Sequence, residues 1–177
     1  MGKCSRFLNK MRYVYTGEGA GKTTSALGLA LRSLGHNHKV IMIQFMKGRK
    51  DIGEYKFQKY NKNYKVYQFG TAKFIKNLKS PLENDIQNAE KGLQFIPYAV
   101  KQKPNLLILD EINIATAYNL LNVDDVVRAI KKIPQSIDVI MTGRYAPKKL
   151  VDIADYVNEV KAHKMPRQMI AKKGINY

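Results

Sequence analysis

The chain of 177 residues carries a single cysteine, Cys4, so no internal disulfide can form and the cysteine count gives no sign of secretion. No run approaches the ~20 apolar residues that a membrane-spanning helix requires. Residues Met1 to Lys10 are basic and lack the apolar centre of a signal peptide. The expectation is a disordered basic segment, 1–10, ahead of one domain over 11–177, in the cytoplasm and away from membranes. Internal repeats and low-complexity linkers are missing too. Acidic residues are scarce: 14 Asp and Glu stand against 31 Lys and Arg, a formal net charge of +17. Such a charge draws polyanions, nucleic acid first among them. Yet Lys56, Lys59, Lys62, Lys65, Lys73, Lys76 and Lys79 are spread through one stretch, and elsewhere only pairs such as Lys131-Lys132, Lys148-Lys149 and Lys172-Lys173 occur. Clustering, more than total charge, marks a nucleic-acid footprint. A solvated lysine-rich surface is therefore the preferred reading, and nucleic acid is not an expected partner.

What is present is an ordinary globular composition, 45% hydrophobic and 25% charged, long enough to bury a core. Apolar runs alternate with helical patterns, which predicts an α/β fold with a mostly parallel sheet flanked by helices. Arg12 to Tyr15 reads as the first strand. A helix from about Gly21 to Leu34 buries Ala26, Leu27, Ala30 and Leu34, with Gly35 expected at its C′ position. Lys39 to Gln44 is a strand whose unbroken apolar run suits burial on both faces. Lys47 to Tyr64 is a long, poorly periodic connection, a place where function is often found. Lys65 to Phe69 is a strand. Ser80, Pro81 and Glu83 resemble a helix start, with Leu82, Ile86, Ala89, Leu93 and Ile96 on one face and Pro97 kinking or ending the helix. Leu106 to Leu109 is a short buried strand. Asn122 caps a further helix, with Asp124 and Asp125 in its first turn and Lys131 and Lys132 in its last, as the helix dipole favours. Ile137 to Met141 is another strand, Pro147 opens a helix through Ile153, and Tyr156 to Val160 is the last strand.

One loop carries chemistry. Thr16-Gly17-Glu18-Gly19-Ala20-Gly21-Lys22-Thr23 departs from G-x-x-x-x-G-K-[ST] only in having Thr16 at the first glycine position. Glycines let successive backbone N–H groups turn inward toward phosphate oxygens. Lys22 adds a point charge, the Thr23 hydroxyl suits Mg²⁺, and the following helix presents its positive end. The loop follows a predicted strand and precedes a predicted helix, as the motif requires. Downstream, Leu106-Leu107-Ile108-Leu109 runs into Asp110-Glu111. Carboxyl ends of parallel strands gather at one edge, where ligands bind, so this acidic pair is expected beside the loop and not as a solvated strand end. Thr142-Gly143-Arg144 ends another strand at that edge. Arg144 there either grips a terminal phosphate or is an ordinary surface arginine; spacing leaves both open.

The stretches YTGEGAGKTTSALGLALRSLGH, VIMIQFMKG, LLILDEINIA and VIMTGRYAP, with the ending KKGINY, resemble the P-loop corrinoid adenosyltransferases. The resemblance runs in order from Met11 onward and implies a P-loop NTPase core of the RecA-like kind. It implies transfer of the 5′-deoxyadenosyl group of ATP to the Co(I) of a reduced corrinoid, with triphosphate as leaving group, in corrinoid synthesis or salvage. The nucleophile is then the metal, and the protein's task is positioning and charge stabilisation. By this resemblance Gly17 to Thr24 hold the triphosphate, with Lys22, Glu111 and Arg144 as the catalytic set. Thr23 and Glu111 bind Mg²⁺ beside Asp110, Lys47 lies near the site, and Phe74 helps clear the lower axial ligand from cobalt. ATP, Mg²⁺ and a corrinoid are the implied small molecules; a flavoprotein reductase and a second copy of the chain are the implied partners.

The departures from the family pattern are specific. Ala20 stands where a lysine is usual and Glu18 where an asparagine is common. Lys76 replaces a tryptophan, a residue type absent from the whole chain. Lys164-Met165-Pro166 replaces K-H-P, and the segment from Pro166 to Tyr177 is slightly short. These leave the nucleotide half better supported than the corrinoid half. The alternatives are a P-loop ATPase using Glu111 to orient water, and a basic nucleotide-binding module that docks on nucleic acid.

Overall fold

The computed structural model describes residues 11–72, 81–168 and 171–176. The basic segment 1–10, Phe74 and Ser80 lie outside them. Six strands form one sheet: β1 (Arg12–Thr16), β2 (Val40–Phe45), β3 (Tyr64–Phe69), β4 (Leu106–Asp110), β5 (Asp138–Thr142) and β6 (Tyr156–Glu159). Their order is β3-β2-β4-β5-β1-β6, and every neighbouring pair is parallel. The expected parallel sheet is therefore present, with each expected strand shifted by at most a residue or two.

Alternation along the strands divides the core into two layers. Val40, Met42, Tyr64, Val66, Leu106, Ile108 and Ile140 face one way and pack with Ala26, Ala30 and Leu34 of α1 (Lys22–Gly35). Ile41, Ile43, Phe45, Leu107, Leu109, Val139 and Met141 face the other way. They pack with α3 (Glu83–Lys101) through Ala89 and Ile96, α4 (Ile112–Ala117) through Ile112 and Ala115, α5 (Val123–Lys131) through Val126 and Ile130, and α6 (Lys148–Val151) through Leu150. Central strands buried on both sides read as unbroken apolar runs for this reason. The short α2 (Gly53–Phe57) lies inside the connection 47–64.

Local chemistry sets the element ends. The Asn122 side chain accepts from the N–H groups of Asp124 and Asp125, so the expected cap of α5 is present. The end of α1 differs from expectation. Gly35 is its last helical residue, and the left-handed residue is Asn37, at φ 58°. Asn37 N–H donates to Leu34 O and His38 N–H to Ser33 O, a Schellman closure built on asparagine in place of glycine.

Two expectations for α3 are corrected, its start and the burial of Leu82. The helix starts at Glu83, so Pro81 is not its first helical residue, and the Asp85 carboxylate accepts from the Leu82 N–H. Leu82 is exposed instead of lying on the buried face. Of the two outcomes expected at Pro97, ending the helix does not occur: it lies inside α3 with its ring exposed, while buried Ile96 and Ala99 flank it on the sheet side. Pro147 caps α6 instead of opening it, and Leu27 is half-buried. No helix among the described residues is long and apolar enough to cross a membrane.

Candidate active site

The carboxyl ends of β1, β2, β4 and β5 converge beside the glycine-rich loop. Because Thr16 ends β1 and Lys22 opens α1, the loop is a strand-to-helix turn with the helix N-terminus facing the cavity. Gly17 and Gly21 take φ of 95° and 113°, which strains any other residue. A second constraint comes from behind. A Cβ at Gly17 or Gly19 would meet Val160 O at 2.5 or 2.8 Å. The Gly19 N–H donates to that carbonyl at 2.8 Å, and the Val160 N–H donates to Thr16 O. The end of β6 thus braces the loop against the sheet.

Lys22 is buried, and its ammonium donates to Gly17 O at 2.7 Å and Gly19 O at 2.6 Å, folding back onto its own loop. Burial and the nearby Arg144 charge lower its pKa, partly offset by Glu111 and Glu18. A polyanion in the cavity restores the missing countercharge. Glu18 and Ala20, the two departures from the family loop, are both exposed. Glu18 lies beside the Tyr145 hydroxyl and raises its pKa. Thr24 is also exposed.

Asp110 is completely buried at the end of β4 and collects four side-chain donors. Thr23 Oγ1 and Thr142 Oγ1 donate to Oδ1 at 2.8 and 2.7 Å; Lys47 Nζ and Gln44 Nε2 donate to Oδ2 at 2.7 and 3.1 Å. A carboxylate has about four lone-pair sites, so this one is filled. Burial alone would raise its pKa, but the Lys47 charge and these hydrogen bonds hold it below the usual range. Lys47 shows the reciprocal balance: burial lowers its pKa, and Asp110 and Glu111 outweigh that and raise it.

Glu111 differs. It caps α4 in a left-handed conformation, φ 65°, ψ 15°, unusual for a glutamate. Its N–H donates to Thr142 Oγ1 at 3.0 Å. Its carboxylate accepts no hydrogen bond among the described residues, and Lys47 Nζ approaches only to 3.9 Å. Burial and the neighbouring Asp110 charge raise its pKa, partly offset by Lys47, Lys22 and Arg144. Gly143, at φ 130°, lies close enough that a Cβ there would sit 3.3 Å from Glu111 Oε2. Buried Asn113 donates through Nδ2 to Tyr15 O and Gly143 O at 3.2 Å each, tying α4 to the ends of β1 and β5.

These groups line a cavity of about 440 Å³ bounded by Glu18 to Thr24, Phe45, Met46, Lys47, Glu111, Ile114, Arg144 and Met165. The structure brings together the loop, Lys22, Thr23, Lys47, Glu111 and Arg144; Asp110 stands behind them, and Thr16 supports the loop by accepting from Ala146 N–H. Arg144 is exposed at the cavity wall, which favours the ligand-facing alternative for it. Gln44, Thr142 and Asn113 escaped the sequence reading as site residues. Gln44 carried a signal nonetheless: it is the one polar residue in the buried strand Val40-Ile41-Met42-Ile43-Gln44-Phe45.

Comparison with known proteins places this geometry in a lineage. The family model described as "ATP:corrinoid adenosyltransferase BtuR/CobO/CobP" matches residues 9–177. A corrinoid adenosyltransferase of Escherichia coli (strain K12) is 31% identical over 168 residues, covering 93% of this chain and 84% of the relative. One from Pseudomonas aeruginosa is also 31% identical, covering 93% and 82%. Among solved structures, a KaiC-like protein of Pyrococcus horikoshii OT3 superposes with a TM-score of 0.57 at 14% identity, covering 89% of this chain and 74% of that one; this likeness concerns the fold alone.

Proposed function

The chain belongs to the ATP:corrinoid adenosyltransferase family, and from that premise we propose how its residues divide the work of adenosyl transfer from ATP to a corrinoid. The reaction joins C5′ of ATP to the cobalt of a Co(I) corrinoid and breaks the C5′–O bond, so the electron pair of that bond leaves with triphosphate. Cobalt supplies the nucleophile. What the protein must supply is a fixed triphosphate and stabilisation of the charge it gains on leaving.

The observation that carries this reading is the buried Lys22 ammonium parked on the loop carbonyls of Gly17 and Gly19. Gly17 to Thr24 cradle the triphosphate, Lys22 moves from those carbonyls onto phosphate oxygens, and Arg144 meets the triphosphate from the cavity wall. Lys47, anchored on Asp110, adds positive charge at the cavity lining.

The residues fit a Mg²⁺ ion. The Thr23 hydroxyl spends its proton on Asp110, which leaves its lone pairs for a cation. Glu111 is a half-buried carboxylate without a protein donor, beside the Asp110 charge, a state that a cation relieves. Asp110, already saturated, acts by orienting Thr23. Mg²⁺ bound this way would neutralise charge on the leaving triphosphate.

Phe74 is assigned to the corrinoid by resemblance. A flavoprotein reductase supplying Co(I), a homodimeric assembly and a cytoplasmic location complete the reading. The test is anaerobic incubation of the chain with ATP and chemically reduced corrinoid, followed by phosphate analysis. Cobalt-dependent triphosphate formation is expected; ADP with phosphate, formed regardless of corrinoid, means an ATPase instead. Phe74→Ala should slow transfer and spare ATP affinity, and a loss of ATP binding would remove Phe74 from the corrinoid side.

A further inference from the structure

Gln68, Gln44 and Asp110 occupy one rung across three adjacent parallel strands, since Gln44 is in register with Gln68 on β3 and with Asp110 on β4. Side chains in register on parallel strands point to the same face, and here they form a chain of amides ending on the carboxylate. Gln44 Nε2 donates to Asp110 Oδ2 at 3.1 Å and to Glu54 Oε1 on α2 at 3.3 Å. Gln44 Oε1 accepts from Gln68 Nε2 at 3.0 Å, and Gln68 Nε2 also donates to the backbone carbonyl of Arg49 at 2.8 Å.

The buried Gln44 amide has two possible orientations, and only one suits its surroundings. With Nε2 toward Asp110 and Glu54, both carboxylates gain a donor; flipped, Oε1 would face two acceptors. Gln68 selects the first orientation by offering an N–H to Oε1. Its other bond holds the turn that carries Lys47, two residues before Arg49. That turn is tightly constrained elsewhere as well. Met46 is left-handed at φ 57°, and a Cβ on Gly48 would lie 2.6 Å from Gly70 O. Lys47 Nζ then rests on the same Asp110 Oδ2 that Gln44 binds.

We propose that Gln68, on the outermost strand and outside the cavity lining, is a positioning residue that fixes the Lys47 ammonium for the transfer step by orienting Gln44 and tethering the backbone at Arg49. This rests on the placement of Lys47 at the triphosphate given above. Misplacing a charge-stabilising group weakens transition-state stabilisation more than ground-state binding, and a displacement near 1 Å is worth up to about a hundredfold.

The experiment is a double-mutant cycle on corrinoid-dependent triphosphate release by the full chain. Gln68→Leu removes both tethers. Gln68→Glu keeps the length, loses both N–H donors, and serves if the leucine variant folds poorly. Each should lower kcat about tenfold with the KM for ATP within about twofold. In a Lys47→Met background the same changes should cost nothing further, because the residue through which they act is gone. Equal losses in both backgrounds, a loss matched by a loss of folded protein, or unchanged kcat would each overturn the positioning role while leaving Lys47 in place. Wild-type kcat in Lys47→Met itself would instead remove Lys47 from the mechanism, and Gln68 with it.

Discussion

On the sheet side of the site, Asp110 takes donors from Thr23, Thr142, Lys47 and Gln44; on the cavity side, Glu111 accepts no hydrogen bond among the described residues and has Lys47 no nearer than 3.9 Å. One residue apart, the two carboxylates differ in kind. Saturation and the Lys47 charge depress the Asp110 pKa, whereas burial and Asp110 itself raise that of Glu111. A filled, buried carboxylate is a framework; an unfilled, half-buried one is open to a cation. The difference teaches that an acidic pair read from sequence as one unit can divide into a part that holds the site together and a part that meets the ligand.

Four changes test that division. Lys22→Ala removes the charge at the centre of the cavity, and ATP-dependent transfer should fall on the order of a thousandfold, measured as triphosphate release. Asp110→Asn leaves Lys47 without its anion and turns a donor toward donors. It should destabilise by about 3 kcal/mol in denaturant melts, the low end for a buried pair because Lys47 keeps 27% of its side-chain exposure. If stability is unchanged, Asp110 is not the framework. Glu111→Gln should leave the fold as stable or slightly more so at neutral pH and still cost about thirtyfold in kcat. Equal destabilisation by the two substitutions would erase the contrast. Arg144→Ala, at the exposed wall, should cost about tenfold with no change in stability.

Acid should separate the two groups as well. A depressed pKa gives Asp110 a stabilising contribution that is complete above its unfolded value and is lost as pH falls through the lower folded value. The raised pKa of Glu111 has the opposite sign: its ionisation opposes folding above the unfolded value. On the proposed role of Glu111 in holding Mg²⁺, activity should decline on acidification while the fold is still intact. Loss of activity and of structure at one common pH would contradict this order.

Much of this was legible in the sequence. The glycine loop, Lys22, Thr23 and the apolar run into Asp110-Glu111 are local signals, and the sheet edge brings them together as parallel topology requires. What was not legible depends on partners distant in the chain. The end of β6 braces Gly17 and Gly19 from behind, although nothing near residue 18 mentions Val160. Lys47 meets Asp110 across 63 positions, and Gln44 reads as an oddity in a buried strand until its three partners are seen. The helix starting at Ile112 was hidden because its cap, Glu111, adopts a left-handed conformation that no capping rule anticipates. At Asn37 and Leu82 local propensity pointed one way and packing or a nearby side chain decided otherwise. The corrinoid half stayed a matter of resemblance, since Phe74 is outside the described residues.

The central claim is that Glu111, not Asp110, answers to the bound ligand, and proton release reports it directly. Magnesium and ATP should be titrated into the chain by calorimetry at mildly acidic pH, in two buffers of different ionisation enthalpy. Cation binding lowers the raised pKa of Glu111, so the wild type should release protons on binding and Glu111→Gln should release measurably fewer. Identical proton release by the two proteins would contradict the account.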